Sequence, residues 1–363
     1  MSTNVSTKIR NILFYSFCVV INLLYLTAHG AETIAKNSNQ VLPLFQSIEP
    51  LKLSISAPFN TIQKHRGKER PYYPAMLKLS DSNGNETQLA LKIRVRGKYR
   101  AKREICAYPP LKLNFKRKMV ANTVFAGQNT LKLAVQCRNL SSYEQYLLLE
   151  YLDYRVYRLF TDYSLRVRLV YIDYYDSERQ RDLGTMAGFF IEDERKLAKK
   201  SDMKIVKVKK ISPGDYDPAT INLVEVFEFF IGNTDWSAYA GQGDEDCCHN
   251  IIPLRHKLNP VIPVPYDFDL SGVVDTPYAV VNEALPIRNV RQRLYRGLCR
   301  SDGILKATLA AFIDKRKEIR ALYENLPELS ARYRKKALNY YDDFYSSIRD
   351  EKKLKYAILD KCR

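Results

Sequence analysis

Glycine-rich phosphate loops, nucleophile elbows and paired metal-ligand cysteines are all missing from this 363-residue sequence, and each absence removes the ordinary signal of a functional class. No G-x-G-x-x-G loop precedes Arg96, which removes the usual glycine cradle for nucleotide phosphates. Nothing reads as a strained G-x-S-x-G turn, so hydrolysis through an exposed serine has no carrier. Histidine is scarce, at four residues, and His65 and His256 lack the partners that a Ser/His/Asp or metal site requires. Cys247 and Cys248 are adjacent, without the C-x₂₋₄-C spacing that would make Cys247-Cys248-His249 a zinc site. There is no internal repeat and no long low-complexity tract. Beyond Ile12–Leu26, no apolar run could span a bilayer.

That one run sets an address. Lys8 and Arg10 precede it, it carries Asn22, it is shorter than the roughly 20 residues a spanning helix needs, and Ala28-His29-Gly30 closes it. The layout is that of a secretory signal peptide, so the mature protein is expected to be exported, periplasmic or extracellular, with no membrane span. Removing the leader takes Cys18 and leaves Cys106, Cys137, Cys247, Cys248, Cys299 and Cys362. Six cysteines in an oxidising compartment predict up to three disulfides, with the connectivity open. The formal charge of +18, less the two charges of Lys8 and Arg10, leaves +16, which points to an anionic partner: nucleotide, anionic lipid or glycan, or acidic protein. No basic stripe coincides with a nucleic-acid motif, which argues against nucleic acid.

Residues 31–44 read as a flexible lead-in. Leu89, Leu91, Ile93 and Val95 alternate with polar residues after the Asp81–Asn85 turn text, and Leu111–Phe115 and Leu131–Val135 repeat the pattern, predicting strands. Ser141-x-x-Glu144 predicts a capping box opening a helix to about Phe160. Arg166–Asp173 and Thr185–Ile191 read as strands joined by a Ser177–Asp182 turn. Pro218 is expected to start a helix that Gly232 ends, and Gly303–Leu326 and Glu328–Asp350 predict two more. Strands, one helix, two strands and then helices is the element order of a bilobal, protein-kinase-like α+β fold. A β-rich lobe is expected over 45–196 and a mainly helical lobe over 197–363.

The chemistry concentrates in Asn233-Thr234-Asp235-Trp236, Cys248-His249-Asn250 and Tyr266-Asp267-Phe268-Asp269. Phosphoryl transfer needs one carboxylate near the attacking hydroxyl and an Asn with an Asp to hold Mg²⁺, and this stretch offers all three. Asp235 follows the Gly232 helix stop, in a loop where a reactive side chain can face a cleft. Asp267 is expected at the end of a strand flanked by Pro263 and Pro265, and Asp269 shares its face if that strand continues. Lys112 and Asn114 fall on one face of their strand, with Leu111, Leu113 and Phe115 on the other.

With Arg96-Gly97, Pro109–Phe115 and Gly188–Arg195 added in the same order, the chain resembles the spore-coat CotH-like kinase family from about Lys92 to Gly272. The resemblance implies a divergent kinase-like fold that binds ATP or another nucleotide with Mg²⁺ or Mn²⁺. It makes Asp235 the catalytic carboxylate, Asn250 and Asp267 metal ligands with Asp269 as second candidate or support, and Lys112 the phosphate-reaching lysine. Glu150, chosen over Glu144, is the expected partner of Lys112, and Arg96 could add a phosphate contact. Phe190–Glu194 would meet the base. One departure stands out: fifteen residues separate Asp235 from Asn250, where ordinary kinases have five. Gly241–Cys248 then reads as an insertion, its Asp244-Glu245-Asp246 solvated, with a disulfide from Cys247 or Cys248 stiffening the chain beside Asn250.

The expected activity is phosphate transfer to a hydroxyl on a protein or anionic surface polymer. Two alternatives remain open: a non-catalytic envelope or coat protein that uses the scaffold to bind anionic partners, and AMP transfer from the same site.

Overall fold

Alternating apolar and polar residues become seven strands of one sheet. In a computed structural model that describes residues 41–80 and 86–363, the first half runs β1 (Leu51–Ala57), α1 (Phe59–Lys64), β2 (Tyr73–Ser80), β3 (Glu86–Val95), β4 (Leu111–Phe115), β5 (Thr130–Val135), α2 (Ser141–Arg158), β6 (Val167–Asp176) and β7 (Arg181–Ile191). The leader expected over 1–30, most of the lead-in and the 81–85 turn lie outside the described residues. The period of two is plain in β3 and β4, where Leu89, Leu91, Ile93, Val95, Leu111, Leu113 and Phe115 are buried and the residues between them are not.

The sheet closes. Hydrogen-bonded order is β1-β2-β3-β4-β5-β7-β6, and β6 returns to β1 in parallel, from Leu51 opposite Val170 to Ala57 opposite Asp176. This overturns the expected bilobal, kinase-like fold with a helical second lobe, because the strands form a closed seven-stranded mixed barrel and only a few helices accompany it. The physical reason lies in β1. Its Leu53, Ile55 and Ala57 point inward, β2 satisfies one backbone edge, and β6 takes the other, leaving no open sheet edge to bound a lobe. Element order cannot reveal closure, since one pairing between distant segments decides it.

The second half is also less helical than its periodicity implies. After α3 (Glu194–Lys200) and β8 (Lys204–Ile205) come α4 (Pro218–Ile231), β9 (Ile251–Arg255), β10 (Ile262–Pro265), α5 (Asp302–Asp314), α6 (Arg316–Glu324), α7 (Ala331–Arg349) and α8 (Glu351–Leu354). Strands β8 to β10 make a second, three-stranded sheet, and residues 266–301 contain neither helix nor strand. The helix expected over 303–326 breaks in two at Lys315. The capping box is not used: Leu140 is the N-cap of α2, and Ser141 already lies inside it.

Helix α4 forms as its ends dictate. Asp217 accepts the Thr220 amide at 2.8 Å, Pro218 occupies the first turn, and Gly232 leaves the helix at φ +71°. A Cβ on Gly232 would also meet Tyr340 Oη at 1.9 Å, so both conformation and space require glycine there.

Leu42–Arg363 form one compact unit. Its centre is aromatic: Tyr157 of α2 meets Phe227 of α4 at 4.8 Å between ring centroids, and Phe268 packs on Tyr154 at 4.7 Å and on Phe227 at 5.4 Å. Two disulfides, Cys106–Cys137 and Cys299–Cys362, staple separate segments of the unit, and a third joins the adjacent Cys247 and Cys248. Among the described residues, no helix is long and apolar enough to cross a membrane.

Candidate functional site

The site grows from the end of α4. Once Gly232 turns the chain, Asn233 Oδ1 accepts the Asp235 amide at 2.9 Å, a short Asx turn that presents Asp235. Ser237 and His249 then exchange backbone hydrogen bonds at 2.9 and 3.0 Å, which closes the 241–248 insertion at its base. This pairing resolves the fifteen-residue spacing. It returns His249 and Asn250 to Asp235, with His249 Nε2 2.8 Å from Asp235 Oδ1. Asn250 Nδ2 donates to the Asp235 carbonyl at 2.7 Å and to Oδ2 at 3.1 Å. The Asp235 side chain keeps 35% of its exposure, so both neighbours orient it without sealing it from an incoming hydroxyl. Cys247 and Cys248 bond to each other, so their disulfide links no second segment, and the Cys247 amide ties the loop to the Val208 carbonyl at 2.7 Å.

Asp267 arrives from the other strand. β10 pairs with β9, Pro265 faces Ile251, and the Tyr266 amide donates to the Asn250 carbonyl at 3.0 Å, bringing Asp267 beside Asn250. Both residues take left-handed backbone, φ +55° at Asn250 and +66° at Asp267, a region that Asn and Asp enter more readily than most residues. The strand therefore stops at Pro265, and Asp267 and Asp269 do not lie on one strand face. Between them Phe268 is fully buried in the α2–α4 core and fixes where each carboxylate emerges. The Asp267 amide donates to Tyr154 Oη at 2.9 Å.

Asp269 turns inward, to Arg100. This guanidinium is buried 3.1 Å from Glu150 Oε2 and 3.8 Å from Asp269 Oδ2, and it donates to the Val135 carbonyl. Glu150 thus pairs with Arg100 rather than with Lys112. Burial raises both carboxyls above their ordinary range; Arg100 opposes this for each, while Asp267 adds to it. Burial works against the Arg100 charge too, but Tyr278, Glu150 and Asp269 outweigh it and hold the guanidinium protonated.

Lys112 opens instead on a cleft of about 630 Å³ with Lys132, Glu194, Arg195, Cys248 and Tyr266 on its walls. Lys132 pairs with Glu194 at 2.8 Å. Burial, then Arg94 and Arg195, pull the Lys112 ammonium below its usual range, while Glu194 opposes them. Ile251 and Tyr266, which also line the cleft, are the chain neighbours of Asn250 and Asp267, so the cleft leads to that pair. Arg96 sits at the same end, where its charge acts on Glu150, Tyr154 and Tyr266.

Among the described residues no three His, Cys, Asp or Glu side chains gather into a complete metal site. A cation shared with phosphates needs fewer protein ligands, and the donors fit it. Asn250 commits its amide nitrogen to Asp235, which leaves Oδ1 as the outward donor, and Asp269 Oδ2 is buried without a hydrogen-bond partner. No protein-family model matches the chain, and no curated protein matches it either.

Sequence reasoning passed over several residues. His249 was adjacent to Asn250 in the text, yet only the Ser237 pairing reveals its contact with Asp235. Arg296 donates to the Trp236 carbonyl at 2.8 Å and to that of Thr234, bracing the Asp235 turn from 293–299, a segment that carries no motif. Asp153 of α2 is a fully buried carboxyl that accepts Tyr341 Oη at 3.0 Å, Tyr323 Oη at 3.3 Å and Ser271 Oγ at 3.2 Å.

Burial pushes Asp153 up to about 8, against those three hydrogen bonds. A raised carboxyl binds its proton more tightly in the folded state, so this group lowers stability as pH climbs from about 4 towards 8. Asp153→Asn should flatten that slope. In urea titrations at pH 5 and pH 8, wild type should lose about 2–4 kcal/mol more than the variant, and equal losses would show that Asp153 stays charged.

Proposed function

We propose that the Asp235–Asn250–Asp267 cleft is a phosphoryl-transfer site, and that the protein is an exported, Mg²⁺- or Mn²⁺-dependent phosphotransferase taking ATP or another nucleotide. The observation that carries this reading is a reachable carboxylate oriented by His249 and Asn250, while Asn250 also borders Asp267 across the β9–β10 strand ends. The motif order in which the chain resembles CotH-like kinases supports it, independently of the fold.

An acceptor hydroxyl would donate its hydrogen bond to Asp235 and attack phosphorus. The new O–P bond forms as the bond to the nucleoside diphosphate breaks, and the hydroxyl proton passes to Asp235. Asn250 and Asp267, with Asp269 behind them, would hold the cation, which supplies charge neutralisation on the phosphates. Lys112 and Arg96 would bind phosphate oxygens, and Glu194–Arg195 and Tyr266 would face the nucleoside. Arg100 and Glu150 act one layer back, fixing Asp269. Three disulfides and the leader-like first thirty residues support an oxidising, exported setting.

The test is single-turnover incubation of oxidised protein with γ- or α-labelled ATP, Mg²⁺ and an acceptor. Transfer of the γ-label is expected. Transfer of the α-label alone would replace phosphate by AMP as the moiety moved, and binding of nucleotide without transfer of either would leave a binding scaffold.

A further inference from the structure

Outside the catalytic cleft, the most concentrated charge lies in an open groove of about 820 Å³ between residues 64–70 and 94–104. Lys64, Lys68, Arg94, Lys98, Lys102 and Arg103 line it, and Glu104 is the one carboxylate among the described lining residues. The groove is built. Arg66 donates to the Cys106 carbonyl at 2.6 Å and the Gln63 carbonyl at 3.0 Å, and Arg70 donates to Gly67 at 2.7 Å and to Gly97, tying wall to wall through backbone oxygens.

Its charge is largely uncompensated. Among the described residues Lys64, Lys68, Lys102 and Arg103 form no ion pair, while Lys98 pairs with Glu245. That contact is informative, because Glu245 belongs to the acidic stretch of the 241–248 insertion. The acidic stretch of the insertion thus lies next to the rim. Like charges inside the groove add to the effect of burial: burial and then Arg103 weaken the hold of Arg66 on its proton, and burial and then Arg94 do the same to Arg70. An arriving anion relieves this repulsion.

The groove also adjoins the site. The segment that points Lys98, Lys102 and Arg103 outward turns Arg100 inward to Asp269, and Tyr99, between them, feels the charges of Asp269 and Asp235. The guanidinium groups of Arg66 and Arg70 are spent on carbonyls, leaving mainly lysine point charges, which take carboxylates at varied angles along a flexible segment. The nearby rings of Tyr72 and Tyr99 each carry a cation over one face, Arg94 and Lys102, which leaves less room for a nucleobase to stack.

We propose that this groove docks an acidic polypeptide segment, rich in Asp and Glu, and that the acceptor hydroxyl is carried by that partner. The second clause rests on the phosphotransfer reading; the docking does not.

The experiment is fluorescence anisotropy of a short labelled Glu/Ser peptide with the full oxidised chain, without nucleotide or metal. Saturable binding that weakens with salt is expected, and Lys98→Glu/Lys102→Glu/Arg103→Glu should weaken it by about tenfold or more. Asp244→Asn/Glu245→Gln/Asp246→Asn, which removes the internal competitor, should tighten it. Reversals at Lys352 and Lys353 serve as the remote control. Equal weakening by the remote pair, or no binding by wild type, overturns the proposal. Tighter binding of polyphosphate or oligothymidylate at the same groove overturns the polypeptide class. If the triple reversal unfolds, Lys98→Gln/Lys102→Gln decides in its place, with a loss of affinity expected and unchanged affinity contradicting. Since the readout needs no nucleotide, intact peptide binding beside absent phosphate transfer would count against the catalytic reading alone.

Discussion

Asp235→Asn is expected to lower turnover by about 10²–10⁴ while nucleotide affinity and the unfolding midpoint stay near wild type. The amide keeps its one oxygen for the Asn250 contact and can turn its nitrogen to His249 Nε2, which accepts in the other tautomer, but it is too weak a base to accept the hydroxyl proton. The structural cost should be small because the carboxylate is partly exposed and its turn is held by Asn233 and Arg296. A structural role would reverse the pattern, with a fall in stability and turnover unchanged per folded molecule. Single-turnover rates beside urea midpoints separate the two, and full retained turnover would remove Asp235 from the chemistry.

The largest stability loss is expected from Arg100→Ala, about 3–5 kcal/mol, because the change strands two buried carboxyls around an empty site. Glu150 and Asp269 are both already raised by burial, and without the guanidinium each must hold a proton or bear an uncompensated charge. Carboxyls with raised folded values lower stability as pH rises above their unfolded values, so the deficit should be greater at pH 8 than at pH 5. Urea unfolding at both pH values checks this. A loss under about 1 kcal/mol at pH 8 would mean that the pair is not buried as described. The Val135 carbonyl, which Arg100 also caps, adds to the cost.

These two residues mark how far the sequence was legible. The loop position of Asp235 could be read because its signal is local: a glycine helix stop three residues earlier. The strands around Leu91, Leu113 and Leu133, the Asp217–Gly232 helix and the use of all six remaining cysteines were legible for the same reason, since period, cap and parity are written in short text. Arg100 was not, because its role depends on three segments meeting: the 96–104 loop, α2 and the turn after Phe268. Barrel closure is the same kind of fact. The parallel pairing of Leu51–Ala57 with Val170–Asp176 joins segments more than a hundred residues apart, and no periodicity in either announces the other. The alternation that marked each strand was therefore correct while the bilobal architecture assembled from them was not. Glu150 shows the consequence at the site. A lysine on a cleft-facing strand and a glutamate on the next helix suggested a pair, but a buried arginine from an unassigned loop reaches the glutamate first.

The cleft wall holds a further lesson about spacing. Fifteen residues between Asp235 and Asn250 departed from the expected five, yet the Ser237–His249 bridge makes the intervening loop an excursion that returns to its start. Distance along the chain was a poor guide there, and backbone pairing was a good one.

A thermal-unfolding titration of the oxidised protein with ATP, with and without Mg²⁺ or Mn²⁺ and beside Asp267→Ala, tests the central claim most directly. Nucleotide with metal should raise the wild-type midpoint, since ligand at 100 times its Kd adds about 2.7 kcal/mol to apparent stability, and the shift should vanish without metal or without Asp267. A folded wild type with no metal-dependent shift, or an Asp267→Ala shift equal to wild type, would contradict the assignment of this cleft to a metal-bound nucleotide.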